Sequence, residues 1–357
     1  MSPSASPSAP VKVLVAGDHF VHTGLFTEAL RAEVGETADL DFTSTELPWP
    51  VEPFGPVAEV HEASGTEDQL IAALQGVRVC VTQMAPLTRR VLEACPDLEL
   101  FAVGRGGPVN TNLSAATEHG VAVTYAPGRN ATATAEHTVA LLLAALRRIP
   151  TTHGELTRGV WRGDYYQYDE VGMELAGNTV GLVGYGAIGH RVARILNGFG
   201  AHVLVHDPYL TPDAIAGTEA ELVGLDELLA RSRVLSLHAR LTEDNRHMIS
   251  APQLAALPAG SVVVNCARGG LLDYNALCDA LDSGHLFAAA FDVFPEEPVP
   301  ADSRLLRTPG IVMTPHLAGA SRQTAHQAAR ICAQEVARYL TGEPLAHCAN
   351  PAVRKHG

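Results

Sequence analysis

Three glycines constrain this chain more than any other feature. Gly184-x-Gly186-x-x-Gly189 stands directly behind the apolar run Val180-Gly181-Leu182-Val183. It also opens a helical pattern with apolar residues at Ile188, Val192, Ile195 and Phe199. A glycine triplet alone is weak, but the strand before it and the helix after it are what a dinucleotide fingerprint requires. Gly184 allows the tight turn, Gly186 lets a pyrophosphate reach the backbone, and Gly189 lets the helix pack on the sheet. The helix start then offers free N–H groups and a positive dipole end to phosphates. Eighteen residues beyond Gly189, the run Val203-Leu204-Val205-His206 ends at Asp207. A carboxylate there accepts ribose hydroxyls and repels a 2′-phosphate, which favours NAD; His206 and Arg191 leave NADP open.

Six segments of the second half read as buried strands, and reactive residues follow several of them. Val262-Val263-Val264-Asn265 leads to Arg268, the fifth strand to Asp292 and Glu297, and Ile311-Val312-Met313-Thr314 to His316. Ligands of an open α/β sheet bind outside the carboxyl ends of its strands, so these groups are expected to meet in one crevice. In the first half, Val11 to Ala16, Val77 to Val81, Leu98 to Val103 and Val121 to Thr124 read as strands. Helical stretches at Thr23 to Val34, Glu67 to Leu74 and Thr88 to Ala94 lie between them. The alternation predicts a parallel α/β domain over roughly the first 125 residues. Ala131 to Arg148 reads as one helix that links the domains and stops at Pro150. Thr151 to Asn178, with Trp161, Tyr165, Tyr166 and Tyr168, reads as a connecting arm or dimer contact. Thr324 to Leu340 reads as an amphipathic helix, after which Leu345 to Pro351 returns to the first domain.

The 357 residues, 46% hydrophobic, suffice for two cored domains. A net charge of -14 argues against nucleic acid as a partner. An anionic substrate then needs a local group of arginines. Six cysteines without metal or disulfide spacing read as reduced thiols of a cytoplasmic protein, with no metal site. The Pro/Ser/Ala-rich residues 1–10 read as a disordered tail rather than a signal peptide. No apolar run approaches membrane-spanning length, so no membrane role is expected.

Hydride transfer at an alcohol carbon needs a proton acceptor, a cation for carboxylate and carbonyl oxygen, and a tuned pKa. His316 suits the first, because imidazole titrates near neutrality. Arg268 suits the second through its bidentate fork. Glu297 suits the third by holding and charging the imidazole. Each has a plainer reading. One of 16 histidines is usually packing, an arginine usually solvated, and Glu297 in Pro295-Glu296-Glu297-Pro298 sits where a solvated turn is expected.

Val183-Gly184-Tyr185-Gly186-Ala187-Ile188-Gly189, Asn265-Cys266-Ala267-Arg268-Gly269-Gly270, Phe291-Asp292-Val293-Phe294-Pro295-Glu296-Glu297-Pro298 and Thr314-Pro315-His316-Leu317-Ala318-Gly319 together resemble the signature set of the D-isomer-specific 2-hydroxyacid dehydrogenases. The resemblance spans nearly the whole chain after the tail. It implies an α/β protein of two doubly wound parallel-sheet domains, with a Rossmann-type nucleotide domain (131–324) inserted into a flavodoxin-like substrate domain (11–130 plus 325–357). It also implies a homodimer, NAD as cofactor, a small 2-hydroxy or 2-keto acid as substrate, and Arg268, Glu297 and His316 as the active triad. Cofactor contacts are implied at Gly184, Tyr185, Gly186, Ala187, Ile188, Gly189, Asp207, Pro208, Thr242, Cys266, Ala267 and Gly319. Asp292 is implied to face the nicotinamide amide. His238 is implied beside the cofactor, or is a packed strand-end histidine.

The chain departs from the family's common pattern in places. Ala239-Arg240-Leu241-Thr242 replaces x-Pro-Leu-Thr, and Arg240 reads as exposed. The loop Val103-Gly104-Arg105-Gly106-Gly107-Pro108-Val109-Asn110 gains an arginine, a glycine and a proline. Arg105, Gly106, Gly107, Arg129 and Gln83 are expected on the substrate side. Arg105 then binds a second anionic or polyhydroxylated group (phosphate, phosphonate or sugar-acid chain), or pairs with a local carboxylate. The uncharged Gln83 stands near the position at which phosphoglycerate-type enzymes use a basic residue, which argues against simply naming phosphoglycerate. Two other readings remain: an NAD(H)-sensing, corepressor-like binding protein, and a formate- or phosphite-type dehydrogenase on the same fold.

Overall fold

The structure is a computed structural model and describes residues 9–35, 37–50 and 53–353. Positions 1–8 of the expected tail lie outside the described residues. The chain forms two compact units, residues 1–130 with 321–357, and residues 131–320.

The first unit is built on β1 (Val11–Gly17), β2 (Leu40–Glu46), β3 (Val79–Thr82), β4 (Leu100–Val103) and β5 (Ala122–Tyr125). They form one parallel sheet in the order β2-β1-β3-β4-β5. Its short helices are α1 (Thr23–Val34), α2 (Glu67–Ala73), α3 (Arg89–Ala94) and α4 (Leu113–Glu118). β3 and β4 are buried along their whole length, which is why they read as unbroken apolar runs. α2 starts with a capping box in which Thr66 and Gln69 satisfy each other's backbone N–H groups. The long helix Arg322–Thr341 covers one sheet face beside α1. It buries Ala325, Ala328, Ala329, Cys332 and Val336 against Phe26 and Leu30, and small side chains allow that close approach. The opposite face packs on Val91, Leu92, Leu70 and Leu74.

The second unit contains α5 (Ala131–Leu146), α6 (Ile149–Leu156), β6 (Thr179–Val183), α7 (Gly189–Gly198), β7 (His202–His206), β8 (Ala220–Leu222), α8 (Leu225–Arg231), β9 (Val234–Leu237), α9 (Ala251–Ala256), β10 (Ser261–Asn265), α10 (Tyr274–Asp282), β11 (Leu286–Phe291) and β12 (Ile311–Met313). All seven strands are parallel, in the order β12-β11-β10-β9-β6-β7-β8. The order reverses between β6 and β9, and that reversal opens the crevice where such sheets take ligands. α5 lies in the core with Ala135, Val139, Leu142 and Leu146 packed on Val180, Leu182 and Val264. Truncating Leu142 to Ala there costs about 2–5 kcal/mol. No helix among the described residues is long and apolar enough to cross a membrane.

Three sequence readings change. The edge strands β2 and β8 escaped the apolar-run criterion, because β2 alternates exposed polar and half-buried residues and β8 is three residues long. The helix expected over Ala131 to Arg148 ends at Leu146. Arg148 is left-handed at φ 51°, and Pro150 then sits in the first turn of α6. Proline is tolerated there because its missing N–H would be unpaired anyway, so a new helix starts at Ile149 and runs into the segment read as an arm.

Candidate active site

Almost every strand of the second unit hands over to a chemically useful residue at its carboxyl end. β6 leads into Gly184, β7 into Asp207, β9 into His238, β10 into Cys266, β11 into Asp292 and β12 into Thr314. Parallel register places these six ends along one edge of the sheet.

The glycine turn has a distinct reason at each position. Gly184 sits at φ 98°, and a Cβ there would lie 2.7 Å from the backbone of residues 238 and 239. A Cβ on Gly189 would lie 2.3 Å from the Gly184 carbonyl. A Cβ on Gly186 would meet nothing within 4 Å, so this backbone is open to an approaching group. Tyr185, Ala187 and Ile188 complete the turn, and Ile188 precedes α7 without a side-chain cap, so the first N–H groups of α7 gain no side-chain acceptor from it. Asp207 Oδ2 accepts from Tyr185 N–H at 2.9 Å and Oδ1 from Tyr209 N–H at 3.0 Å. That fixes the carboxylate beside the turn, with Pro208 next to it. An open backbone, a helix start and a fixed carboxylate fit a dinucleotide.

His238 packs against Gly184 and Gly189, and its Nε2 lies 2.9 Å from Ser236 Oγ. Burial pushes its pKa down to about 4, so it is a neutral imidazole beside the turn. Thr242 N–H donates to Asn245 Oδ1 at 2.7 Å on an exposed loop. Arg240 is exposed. The Cys266 thiol is buried and pushed up to about 12 by that burial.

Arg268 follows on a loop that Asn265 ties down. Asn265 Oδ1 accepts from Ala267 N–H at 3.0 Å, and its Nδ2 donates to the Arg268 carbonyl at 3.0 Å. Gly269 lets this loop touch the next one, since a Cβ there would lie 1.9 Å from the Phe294 carbonyl oxygen. On that second loop, Glu297 Oε1 accepts from Phe294 N–H at 2.9 Å. Its Oε2 lies 2.6 Å from His316 Nδ1.

His316 is held in the left-handed region at φ 50°, which a non-glycine residue rarely adopts. Asp292, only 1% exposed, supplies the restraint. Its Oδ1 accepts from Thr314 Oγ1–H at 2.6 Å and from Leu317 N–H at 2.9 Å, and its Oδ2 from Ala318 N–H at 2.8 Å. His137 Nε2 on α5 lies 2.9 Å from Thr314 Oγ1. Thus both oxygens of Asp292 are engaged by the loop that carries His316, and Gly319 lies on that loop, which runs to Ser321 before the helix Arg322–Thr341. His137 was not singled out from the sequence; it sits between Glu136 and Thr138 in the mixed first half of α5, where nothing local marks it.

The electrostatics agree with the geometry. His316 is raised above its ordinary pKa, chiefly by the hydrogen bond to Glu297, against burial and the Arg268 charge. Burial pushes the Glu297 carboxyl up, but the bond and charge of His316, the Phe294 N–H and Arg268 outweigh it and hold Glu297 low. The result is a pair in which proton affinity sits on the imidazole. With Nδ1 committed to Glu297, Nε2 is the nitrogen free to exchange a proton.

The residues expected on the substrate side lie in the first unit. Gln83 follows β3, is 5% exposed, and leaves its Oε1 without a partner. Arg105 pairs with the Glu62 carboxylate and donates to the Glu62 carbonyl at 3.0 Å. Gly106 and Gly107 present open backbone, with nothing within 4 Å of a built Cβ. Arg129 lies over the Phe20 ring, 5.8 Å from its centroid, and its Nε and Nη1 have no acceptor.

Comparison with known proteins identifies the family. Residues 139–318 match the D-isomer specific 2-hydroxyacid dehydrogenase, NAD binding domain. The D-3-phosphoglycerate dehydrogenase of Mycobacterium tuberculosis is 38% identical over 298 residues, 83% of this chain and 56% of that protein. The chain therefore spans about half the length of the curated phosphoglycerate dehydrogenases it matches. The glyoxylate reductase of Korarchaeum cryptofilum is 36% identical over 270 residues, 76% of this chain and 81% of that one. Among solved structures, the TT0316 protein of Thermus thermophilus superposes with a TM-score of 0.75 at 28% identity, covering 95% of this chain and 100% of that one. An NAD-dependent formate dehydrogenase from Staphylococcus aureus, solved with NAD, reaches 0.74 at 25% identity over 95% and 98% of the two chains. The chain belongs to the D-isomer-specific 2-hydroxyacid dehydrogenase family.

Proposed function

We propose that this protein is an NAD-dependent dehydrogenase that interconverts a D-2-hydroxy acid and its 2-keto acid. The observation that carries the reading is the 2.6 Å contact between His316 Nδ1 and Glu297 Oε2, with Arg268 close enough to bias both pKa values. NAD, held by residues 184–189 and Asp207, supplies the two-electron acceptor when bound. His316 Nε2 takes the hydroxyl proton during oxidation and returns it during reduction. Arg268 binds the carboxylate and stabilises negative charge on the carbonyl oxygen. Glu297 keeps the ring oriented and makes the imidazolium easier to form. His238, Thr242, Cys266, Ala267, Asp292 and Gly319 are assigned to the wall around the cofactor. Gln83, Arg105, Gly106, Gly107 and Arg129 are assigned to the substrate.

A homodimer built on the arm follows from the same reading, supported by the exposed Trp161, Tyr166 and Tyr168, which no isolated globule gains by presenting. Six free cysteines, five of them buried, support a reducing, cytoplasmic setting. The test is NADH absorbance with a panel of 2-keto acids, glyoxylate, formate and phosphite, run on the wild type and on His316→Ala. Turnover of a 2-keto acid that disappears in His316→Ala, with NADH affinity retained, is the expected outcome. NADH binding without turnover of any acid would favour the sensing role, and turnover of formate or phosphite alone would move the substrate class.

A further inference from the structure

In the first unit, one loop is bent at a cost to present a carboxylate. Ala58 at φ 48° and Glu62 at φ 46° both occupy the left-handed region, which non-glycine residues adopt rarely. Hydrogen bonds pin the loop on several sides. Val57 and Val60 pair through their backbones at 3.0 and 3.1 Å. His61 N–H donates to the Val109 carbonyl at 3.0 Å, and Ser64 N–H to the Met84 carbonyl at 2.9 Å. Glu59 Oε1 accepts from Arg89 N–H at 2.8 Å and from Asn112 Nδ2–H at 2.9 Å. Met84 lies just past β3 and Val109 past β4, so the loop runs along the carboxyl edge of the sheet, where parallel sheets take their ligands.

The carboxylate so presented meets Arg105, which follows β4. Arg105 places Nη2 on the Glu62 carboxylate and donates from Nη1 to the Glu62 carbonyl at 3.0 Å. Both terminal nitrogens thus reach the same residue, 43 positions away in sequence. The pair stays open to solution: 18% of the Arg105 side chain and 55% of that of Glu62 are exposed. Gly106 and Gly107 beside it are open backbone. An ion pair this exposed adds little stability, while each left-handed residue costs some, so stability does not account for the arrangement. Its chemical effect is to cancel an accessible cation at the ligand edge. The neighbouring Arg129 offers no substitute, because its Nε and Nη1 are shut away from solvent and its charge lies within reach of that of Asp18.

We infer that Glu62 is a specificity-determining residue: by occupying Arg105 it refuses acids that carry a second anionic group and leaves the site to 2-keto acids with uncharged side chains. A phosphate or second carboxylate reaches the guanidinium only by displacing Glu62, and then stands beside the carboxylate it has displaced. An uncharged side chain leaves the pair intact. As a statement about substrate, this rests on the function proposed above and narrows it. As a statement about charge, it rests on the first unit alone.

Two measurements on the full chain test it. Isothermal titration with inorganic phosphate, on protein saturated with NADH so that the glycine turn is filled, needs no turnover. NADH kinetics then compare hydroxypyruvate with its 3-phosphate, two acids that differ by one anionic group. The variants are Glu62→Gln, which keeps the shape and frees Arg105, and the double variant that adds Arg105→Gln. Glu62→Gln is expected to bind phosphate about tenfold or more tightly than the wild type. The ratio of kcat/KM for the phosphorylated acid to that for the unphosphorylated one should rise by a similar factor, mainly through KM. The double variant should lose both gains. Unchanged phosphate affinity in Glu62→Gln, even with a lowered melting temperature, would show a pair that only holds the loop and would overturn the inference. A gain that survives the loss of Arg105 would overturn it too. An Arg105-dependent phosphate gain in a protein that reduces neither acid keeps the charge cancellation and removes the dehydrogenase reading. Turnover of the acids with an unmoved ratio does the reverse.

Discussion

Replacing Thr314 with Val probes how His316 is held, because the change removes a hydroxyl at nearly constant volume. The single Thr314 proton goes to Asp292 Oδ1 at 2.6 Å, so the hydroxyl oxygen is left to accept from His137 Nε2–H at 2.9 Å. Valine breaks both bonds. Asp292 Oδ1 keeps the Leu317 N–H, with His137 Nε2 too far for a hydrogen bond at 3.8 Å, and with the residue 1% exposed little water can substitute. A hydrogen bond to a charged acceptor is worth about 1.5–3 kcal/mol and a neutral one about 1 kcal/mol, so after partial relaxation a loss of about 2 kcal/mol is expected. For a unit of this size that lowers Tm by about 4–8 °C. The catalytic effect is separate. The backbone of His316 at φ 50° persists only because its surroundings impose it, and releasing it lets the ring drift from Glu297. A misplacement near 1 Å lowers kcat by about 100-fold, with NADH affinity retained. Scanning calorimetry and steady-state kinetics measure the two effects, with Thr314→Ser as the control that restores the hydroxyl. Wild-type Tm and kcat in Thr314→Val, or equal damage in Thr314→Ser, would refute this account of the loop.

Glu297→Gln keeps the hydrogen-bonding shape and removes the charge. His316 is raised chiefly by Glu297, so oxidation, which needs neutral imidazole, rises with pH through that raised value, and reduction falls over the same range. In the variant both transitions should move to lower pH; profiles of kcat/KM that stay in place or move upward would contradict the pairing. The sign for stability runs the same way. The raised His316 contributes below the ordinary histidine pKa and loses its contribution as pH rises through its own, while the lowered Glu297 loses its contribution as pH falls through its own. Gly269→Ala places a Cβ 1.9 Å from the Phe294 carbonyl oxygen and should cost about 1–3 kcal/mol of stability while separating the Arg268 and Glu297 loops. A variant with unchanged melting and unchanged kcat/KM would show that the two loops do not depend on this contact.

Much of the second unit was legible because parallel strands buried on both faces leave unbroken apolar runs, as Val262 to Val264 do. The reactive residues were legible because they follow those runs directly. Edge strands carry no such mark: β2 exposes Asp41, Thr43 and Ser44 and reads as loop. The contact of His137 with Thr314 spans 177 residues, and no local pattern encodes a pairing made by packing a helix across strand ends.

Asp292 and Glu297 are separated by five positions on one connection, yet they serve His316 differently, and burial decides which does what. Asp292 is cut off from water and receives three donors from the 314–318 loop, so its charge is spent on backbone geometry. Glu297 has one oxygen on a backbone N–H and the other on the ring, with its side chain 27% exposed. Its charge therefore remains available to the imidazole, and solvent can stabilise it when the ring is neutral. Were the burial reversed, a solvent-free carboxylate facing a ring that alternates between neutral and charged would be left uncompensated in half of each cycle. Placing the fixed anchor inside and the tuning carboxylate at the edge lets His316 change protonation state without disturbing the loop that carries it.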